Sequence, residues 1–250
     1  MTTKLLSIDT NAKTVKGQKY GYLTGILYMA PSTLSGVNLC PMAKLAKCEE
    51  ACLYTAGRGA FNNVQEARLR KATWFNTDKQ GFMQQLVKDI TALQRKAKKL
   101  GLIPLVRLNG TTDIRWESIQ FEYEFMHGKK RDINIFQLFH DVQFYDYTKI
   151  SNRKDIPLNY DLTFSYSGVK GYQLHVLKAI AKRMRIAVVF QSKKTIPETF
   201  LGMPVIDGDD SDIRVNDPQG CVVALYAKGK ARKDTSGFVV RFPMFTFKVI

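Results

Sequence analysis

Residues 82–113 read FMQQLVKDITALQRKAKKLGLIPLVRLNGTTD. In the first part, Phe82, Leu86, Ile90, Leu93 and Ala97 recur at helical spacing. Lys88, Arg95, Lys96 and Lys99 lie largely outside that stripe, which predicts an amphipathic helix over 82–100. Gly101 follows its last apolar residue, the position where glycine ends a helix in the left-handed region. The apolar run 103–108 comes next and stops abruptly at Asn109-Gly110-Thr111-Thr112-Asp113. Helix, stop, apolar strand and polar strand end make one α/β unit.

The unit recurs along the chain. Strands are predicted at 22–28, 103–108, 142–147, 160–164, 186–190, 204–206 and 221–227, as near-continuous apolar runs of the kind found in parallel sheets covered by helices. A second helix is predicted over 172–184 with Leu174, Leu177, Ile180, Ala181 and Met184 facing inward. Shorter helical pieces are predicted at 41–54, 64–75 and 133–139. The fold class that follows is α/β with a parallel sheet, either open or closed into a partial or complete (β/α) barrel. The strand ends are polar, among them Asp146-Tyr147-Thr148-Lys149, Ser165-Tyr166-Ser167-Gly168, Asp207-Gly208-Asp209-Asp210 and Lys228-Gly229-Lys230. A parallel α/β sheet gathers such ends on one face, where ligands bind. Their repetition favours an enzyme over a passive binding module.

With 250 residues, 45% of them hydrophobic, the chain can bury a core without disulfides. No repeat or low-complexity linker divides it, so a single domain over 1–250 is expected. No apolar run is long enough to cross a bilayer, and residues 1–5 lack the apolar segment of a secretory signal, so a cytoplasmic protein is expected. Lys and Arg number 38 against 22 Asp and Glu, a net charge of +16. Such an excess favours a polyanionic partner, nucleic acid first, over a membrane surface, for which no single basic amphipathic helix stands out. A solvated basic surface is the plainer alternative.

Three of the four cysteines stand close together: Cys40-Pro-Met-Ala-Lys-Leu-Ala-Lys-Cys48-Glu-Glu-Ala-Cys52, followed by Gly57-Arg58-Gly59. Clustered thiols without a secretory signal read as metal ligands or redox groups. A helix across 48–52 would put Cys48 and Cys52 on one face, with Cys40 arriving from the loop before it. Three thiolates suit a [4Fe–4S] cluster with one iron left open. Zinc is the alternative, with Cys221, His127, His140 or His175 as fourth ligand, and three ordinary buried thiols are the third reading. Cys221 opens an apolar strand and reads as core.

Other patterns are weaker. Asp207, Asp209, Asp210 and Asp212 could hold Mg²⁺ for phosphodiester chemistry together with Asp113 and Asp146, although an Asp-Gly turn explains them more simply. Lys228, Lys230, Arg232 and Lys233 make a basic, glycine-containing loop suited to nucleic-acid phosphates. Arg68, Arg70 and Lys71 beside Trp74 and Phe75 could stack single-stranded bases. Leu69, Ala72 and Phe75 read more simply as a core stripe. No serine elbow, phosphate-binding P-loop or dinucleotide motif is present.

Several runs carry a resemblance. Leu6-Ser-Ile-Asp-Thr-Asn11-Ala-Lys-Thr14, the cysteine segment with Ala51-Cys52-Leu-Tyr-Thr-Ala-Gly57-Arg58-Gly59, Arg107-Leu-Asn-Gly-Thr-Thr-Asp113-Ile-Arg-Trp116, Phe144-Tyr-Asp146-Tyr-Thr-Lys149 and Ala227-Lys-Gly-Lys230 resemble the gene-88 group of tailed-phage proteins across nearly the whole chain. That resemblance implies expression in a bacterial host cytoplasm. More distantly, a cysteine triplet after the first strand of an α/β barrel resembles the radical S-adenosylmethionine (SAM) enzymes. There three cysteines hold a [4Fe–4S] cluster whose open iron chelates SAM. Only Cys40, Cys48 and Cys52 carry that likeness. Their spacing is C-x7-C-x3-C where that superfamily has C-x3-C-x2-C, and Asn109-Gly110-Thr111-Thr112-Asp113 stands where its Gly-Gly-Glu run is found.

The expected site therefore has Cys40, Cys48 and Cys52 as metal ligands. Arg107, Asn109, Gly57 and Gly59 would lie beside the cofactor, with Asp113, Asp146, Lys149 and Asp207 as catalytic groups in the same cavity.

Overall fold

A computed structural model describes residues 4–9 and 12–242. Residues 1–3, Thr10 and Asn11 of the family-like opening run, and residues 243–250 lie outside the described residues. The elements are β1 (Leu6–Ile8), α1 (Ala12–Gly17), β2 (Tyr22–Leu27), α2 (Asn62–Thr77), α3 (Lys79–Leu100), β3 (Ile103–Arg107), β4 (Phe121–Glu124) and β5 (Lys130–Ile133). They continue with α4 (Ile135–Leu138), β6 (Gln143–Thr148), β7 (Tyr160–Ser165), α5 (Gln173–Ala181), β8 (Ile186–Phe190), β9 (Thr199–Phe200), β10 (Met203–Asp207) and β11 (Val222–Tyr226). Every predicted strand is present within a residue or two.

Among the described residues nine strands form one sheet in the order β1-β2-β3-β6-β7-β8-β11-β10-β9. The seven inner strands run parallel, while β1 and β9 pair antiparallel at the two edges. Among the described residues the sheet is open and no barrel closes. The edges consist of strands of three and two residues, short edge strands of the kind that limit unwanted pairing. β4 and β5 form a separate hairpin.

Alternate residues of each strand face opposite layers. On one face Leu23, Leu27, Val106 and Phe144 pack against Phe82, Leu86, Ile90, Leu93 and Ala97 of α3, the stripe expected from the sequence. Asp78 caps α3 by accepting from the Gly81 amide, and Gly101 ends it at φ 66°. Further along the same face, Val176 and Ala179 of α5 cover Phe164, Ile186, Val188 and Val222.

On the other face, Leu105 and Tyr145 pack with Ile213, which lies on the connection from β10 to β11. That connection crosses back toward β2, where Tyr20 Oη donates to Asp210 (2.6 Å) and Tyr22 Oη to Asn216 (2.9 Å). It plugs the amino-end half of this face and leaves the carboxyl-end half open as a cavity.

Two helical expectations need correction. Residues 41–54 do not form an α-helix. A single turn, in which the Ala46 amide bonds the Met42 carbonyl, is ended by Lys47 at φ 53°, a conformation that reverses the helix. The predicted inward face of α5 is also displaced. Leu174 and Leu177 are 70% and 60% exposed and Ala181 is exposed, whereas Ile180 and Met184 are partly buried at the edge of the core. Val176 and Ala179 are the residues that face the sheet.

Among the described residues no helix is long and apolar enough to cross a membrane. The layer assignment predicts that Leu86→Ala, which empties a fully enclosed site, lowers unfolding free energy by about 2–5 kcal/mol in urea titrations. Leu174→Ala should stay within about 0.5 kcal/mol. Similar losses in the two variants would contradict the face assigned to α5.

Candidate functional site

The cavity at the carboxyl ends of the parallel strands has a volume of about 1310 Å³. Its floor comes from β3, β6, β7, β8 and β11 through Arg107, Tyr147, Ser165, Ala187, Val189 and Leu225. Its roof is the loop between β2 and α2, which carries Cys40, Cys48 and Cys52, all three of which line the cavity.

Main-chain and side-chain hydrogen bonds fasten that roof to the strand ends. The Asp113 amide donates to Leu39 O (2.9 Å), next to Cys40. Ser167 Oγ donates to Ala46 O (2.8 Å). Cys48 packs with Ala51, Ala227, Ala231, Phe238 and Val239, so the chain after β11 grips the loop from the far side. The backbone of Gly229 at φ 54° passes so close to Ala56 that an added Cβ would lie 3.2 Å from the Ala56 Cβ. Gly59 is pinched harder: a Cβ there would lie 2.5 Å from Tyr54 O. Gly59 therefore serves close backbone packing beside the thiols, while Gly57 supplies a left-handed turn at φ 55° with open space around it.

Each thiol is half-buried and unpaired. Cys40 Sγ lies 3.8 Å from Thr111 O, and burial pushes this thiol up to about 12. Burial also raises Cys48 and Cys52; the Lys149 ammonium opposes this at Cys48, as do the Tyr54 amide and Arg68 at Cys52. The three sulfurs raise one another in the pairs Cys40–Cys48, Cys40–Cys52 and Cys48–Cys52, so they share one electrostatic neighbourhood. In water such thiols stay protonated, and a metal must displace those protons to bind. Among the described residues no three His, Cys, Asp or Glu side chains converge as ligands of a single metal ion.

Arg68 sits beside Cys52. Its guanidinium lies over the rings of Tyr28 (4.9 Å) and Tyr54 (5.5 Å), and Nη1 donates to Tyr54 O (3.0 Å). Arg107 at the floor pairs with Asp212 (2.8 Å) and lies over Tyr147. The partnership of Arg107 with Asp212 spans 105 residues and left no local signal in the sequence.

The polar strand-end residues divide into two groups. Asp113 and Lys149 line the cavity. Asn109 also lines it but is consumed in building the loop. Its Oδ1 accepts from Thr112 Oγ1, the Ile114 amide and Trp116 Nε1, and its Nδ2 donates to Ile114 O. Asp146 lies behind the lining, where it accepts from the Asn109 amide (2.8 Å) and Tyr160 Oη (2.8 Å). Both act as braces for the strand end rather than as groups presented to a ligand.

Asp207 is not in the cavity at all. It pairs with the exposed Lys193 (3.1 Å). The acidic set disperses, with Asp209 on Lys228 (2.6 Å), Asp210 on Tyr20 and Asp212 on Arg107, so the carboxylates serve separate partners instead of one cation. Lys228 and Arg232 line the cavity mouth, while Lys230 and Lys233 project into solvent beside it. Trp74 and Phe75 pack edge-on against Phe82, Phe75 buried and Trp74 half-buried, so they offer no stacking platform; Leu69 of the predicted core stripe is exposed instead. His175 stacks on Tyr172, and Cys221 is fully buried.

The family model described as Gene product 88 matches residues 4–241. The chain belongs to the Gene product 88 family. This is the phage gene-88 group that the sequence runs resemble, and the match takes in every cavity-lining residue named above. No curated protein and no solved structure matches the chain.

Burial pushes the Asp146 carboxyl up to about 7, with Arg107 and the Asn109 amide opposing the shift. Between the unfolded value of about 4 and this value, the folded protein keeps a proton that the unfolded chain has released. Stability from this group is therefore greatest below about pH 4 and declines as pH rises toward 7. Urea midpoints of Asp146→Asn, which keeps one of the two acceptor oxygens and cannot titrate, should lack that decline when compared with the wild type. A variant that retains the full wild-type slope would show that Asp146 does not titrate in this range.

Proposed function

We propose that this protein is an iron–sulfur enzyme of radical-SAM-like type that acts on a nucleic acid or a nucleotide. The observation that carries the reading is the placement of Cys40, Cys48 and Cys52 around one cavity at the carboxyl ends of a parallel sheet. Their loop follows the first parallel strand and is clamped on both sides by strand-end loops.

Three thiolates, with no fourth cysteine or histidine beside them among the described residues that line the cavity, suit a cluster that keeps one iron open. A four-iron cube distributes its ligands over separate corners. Held by three cysteines, a [4Fe–4S] cluster supplies an open iron and an electron to the molecule chelated there, SAM in the radical-SAM case. The chain's own residues would shield that chemistry. Phe238, Ala231 and Ala51 exclude water on the Cys48 side, and Arg68 and Lys149 place positive charge beside the sulfurs.

The polyanion reading rests on the net charge of +16 and on where the excess sits. Lys230, Arg232 and Lys233 stand on the Gly229–Lys233 turn at the cavity mouth, suited to hold a phosphate backbone across the opening.

Anaerobically purified protein should be brown, contain iron and sulfide in near-equal amounts, and lose both in Cys48→Ala. A colourless protein with stoichiometric zinc would overturn the enzyme reading in favour of a structural metal site. Binding to a single-stranded oligonucleotide should weaken steeply with salt, and Lys230→Glu combined with Lys233→Glu should reduce the slope of log affinity against log salt by about 2. Affinity indifferent to salt would contradict the assignment of a polyanionic partner.

A further inference from the structure

Among the described residues, seven cationic and four acidic side chains line the cavity, and most of that charge is already answered. Asp212 pairs with Arg107 (2.8 Å) and Asp209 with Lys228 (2.6 Å). Asp113 is engaged by Thr148, the Lys149 amide and Arg153, and Glu49 accepts from Ser32 Oγ. Lys71 donates to Leu5 O (2.7 Å) and Lys149 to oxygens of Ser165 and Tyr166; burial pulls both ammonium groups toward the neutral form. Arg58, Arg68 and Arg232 are left, and none of them forms an ion pair among the described residues.

Arg68 is the most enclosed of the three. It stands half-buried on α2, held by the Tyr28 and Tyr54 rings beneath its guanidinium. Nη1 donates to Tyr54 O (3.0 Å), while the buried Nε has no acceptor among the described residues. Burial lowers its pKa, and the groups that oppose the shift are Tyr28, Tyr54 and Cys52. Two phenols and a thiol raised by burial are neutral groups, so none of them is a counter-ion. A lysine there could shed its proton, whereas a guanidinium stays charged. A desolvated cation without a counter-ion is costly, and its place in a cavity wall points to an anion that arrives with a ligand.

Two features define that ligand. Arg58, on the Gly57–Ala60 turn that leads into α2, lies in the same lining, so the wall offers two permanent cations. That pair suits a dianionic phosphomonoester, which guanidinium groups bind through several oxygens. The floor, with Ala187, Val189, Leu225 and Tyr226, is apolar and aromatic, and about 1310 Å³ has room for a whole nucleotide.

We propose that Arg68, with Arg58, binds the phosphomonoester of a nucleotide whose base lies on the apolar floor. The inference deepens the nucleic-acid or nucleotide part of the reading above and needs no metal at the thiols. A free mononucleotide and the 5′-phosphorylated end of a strand present the same group.

Isothermal titration calorimetry on the purified protein tests it with the four deoxynucleoside 5′-monophosphates, the matching nucleosides, and a single-stranded oligonucleotide with and without a 5′-phosphate. At least one phosphorylated probe should bind ten times or more tighter than its unphosphorylated counterpart. Arg68→Gln, which removes the charge, should weaken that binding about 10–100-fold. Arg58→Gln, at an exposed position, should weaken it as well and decides the matter if Arg68→Gln does not fold. Arg70→Gln removes the same charge from α2 outside the lining and should bind like the wild type. A monophosphate that binds as tightly as the phosphorylated strand assigns a free nucleotide, and preference for the phosphorylated strand assigns a strand end. Equal affinity for probes with and without phosphate, no binding of either phosphorylated probe, or phosphate binding unchanged in the Arg68 and Arg58 variants overturns the inference. Those results leave the iron–sulfur reading standing, and an iron-free protein leaves this inference standing.

Discussion

The buried Asp113 carboxylate ties three parts of the chain together at the mouth of the sheet. It receives Thr148 and Lys149 from the end of β6, and Arg153 just beyond, while its own amide holds the cysteine loop at Leu39. Arg153 in turn is paired with Glu117, so the knot extends to the chain that follows β3. A buried carboxylate must be compensated on every side, and removing one partner of such a set costs several kcal/mol, about 3–5 in measured cases. That requirement fixes the positions of the loops after β2, β3 and β6 relative to one another. The cavity depends on it.

The scaffold was legible because its signals are local. Parallel strands buried on both faces read as apolar runs, and α3 shows an unbroken stripe from Phe82 to Ala97, with Asp78 before it and Gly101 after it. The edge strands β1 and β9 were missed because three and two residues cannot display a period. Residues 41–54 misled because their alanines, leucines and lysines favour helix, whereas Lys47 turns left-handed to lay Cys48 into the apolar pocket of Ala227, Ala231 and Phe238. Tertiary packing overrode propensity there. The face of α5 was misread because leucine spacing is only a prior, and the sheet beneath took the smaller Val176 and Ala179.

Residue type, the clustering of Cys40, Cys48 and Cys52 and the strand-end positions of Asp113, Lys149 and Arg107 were enough to place these six in the lining of one cavity. They were not enough to separate presented groups from braces. Asn109 and Asp146 sit at strand ends as ligand-binding residues do, yet their hydrogen bonds are spent on Trp116, Thr112 and Tyr160. Asp207 ends β10 two residues before Asp209, yet it pairs at the surface with Lys193 while Asp209 turns to Lys228 at the cavity. Which partner a carboxylate finds is a property of the tertiary fold. Sequence spacing shows only that a partner is needed.

The central claim is that the three thiols share one iron–sulfur cube, with one iron free of protein ligation. Mössbauer spectroscopy of protein produced on the Mössbauer-active iron isotope examines it most directly. The account predicts a [4Fe–4S] spectrum in which one iron site becomes distinct from the other three when a chelating small molecule is added. A spectrum of isolated mononuclear iron, or no protein-bound iron at all, would contradict it.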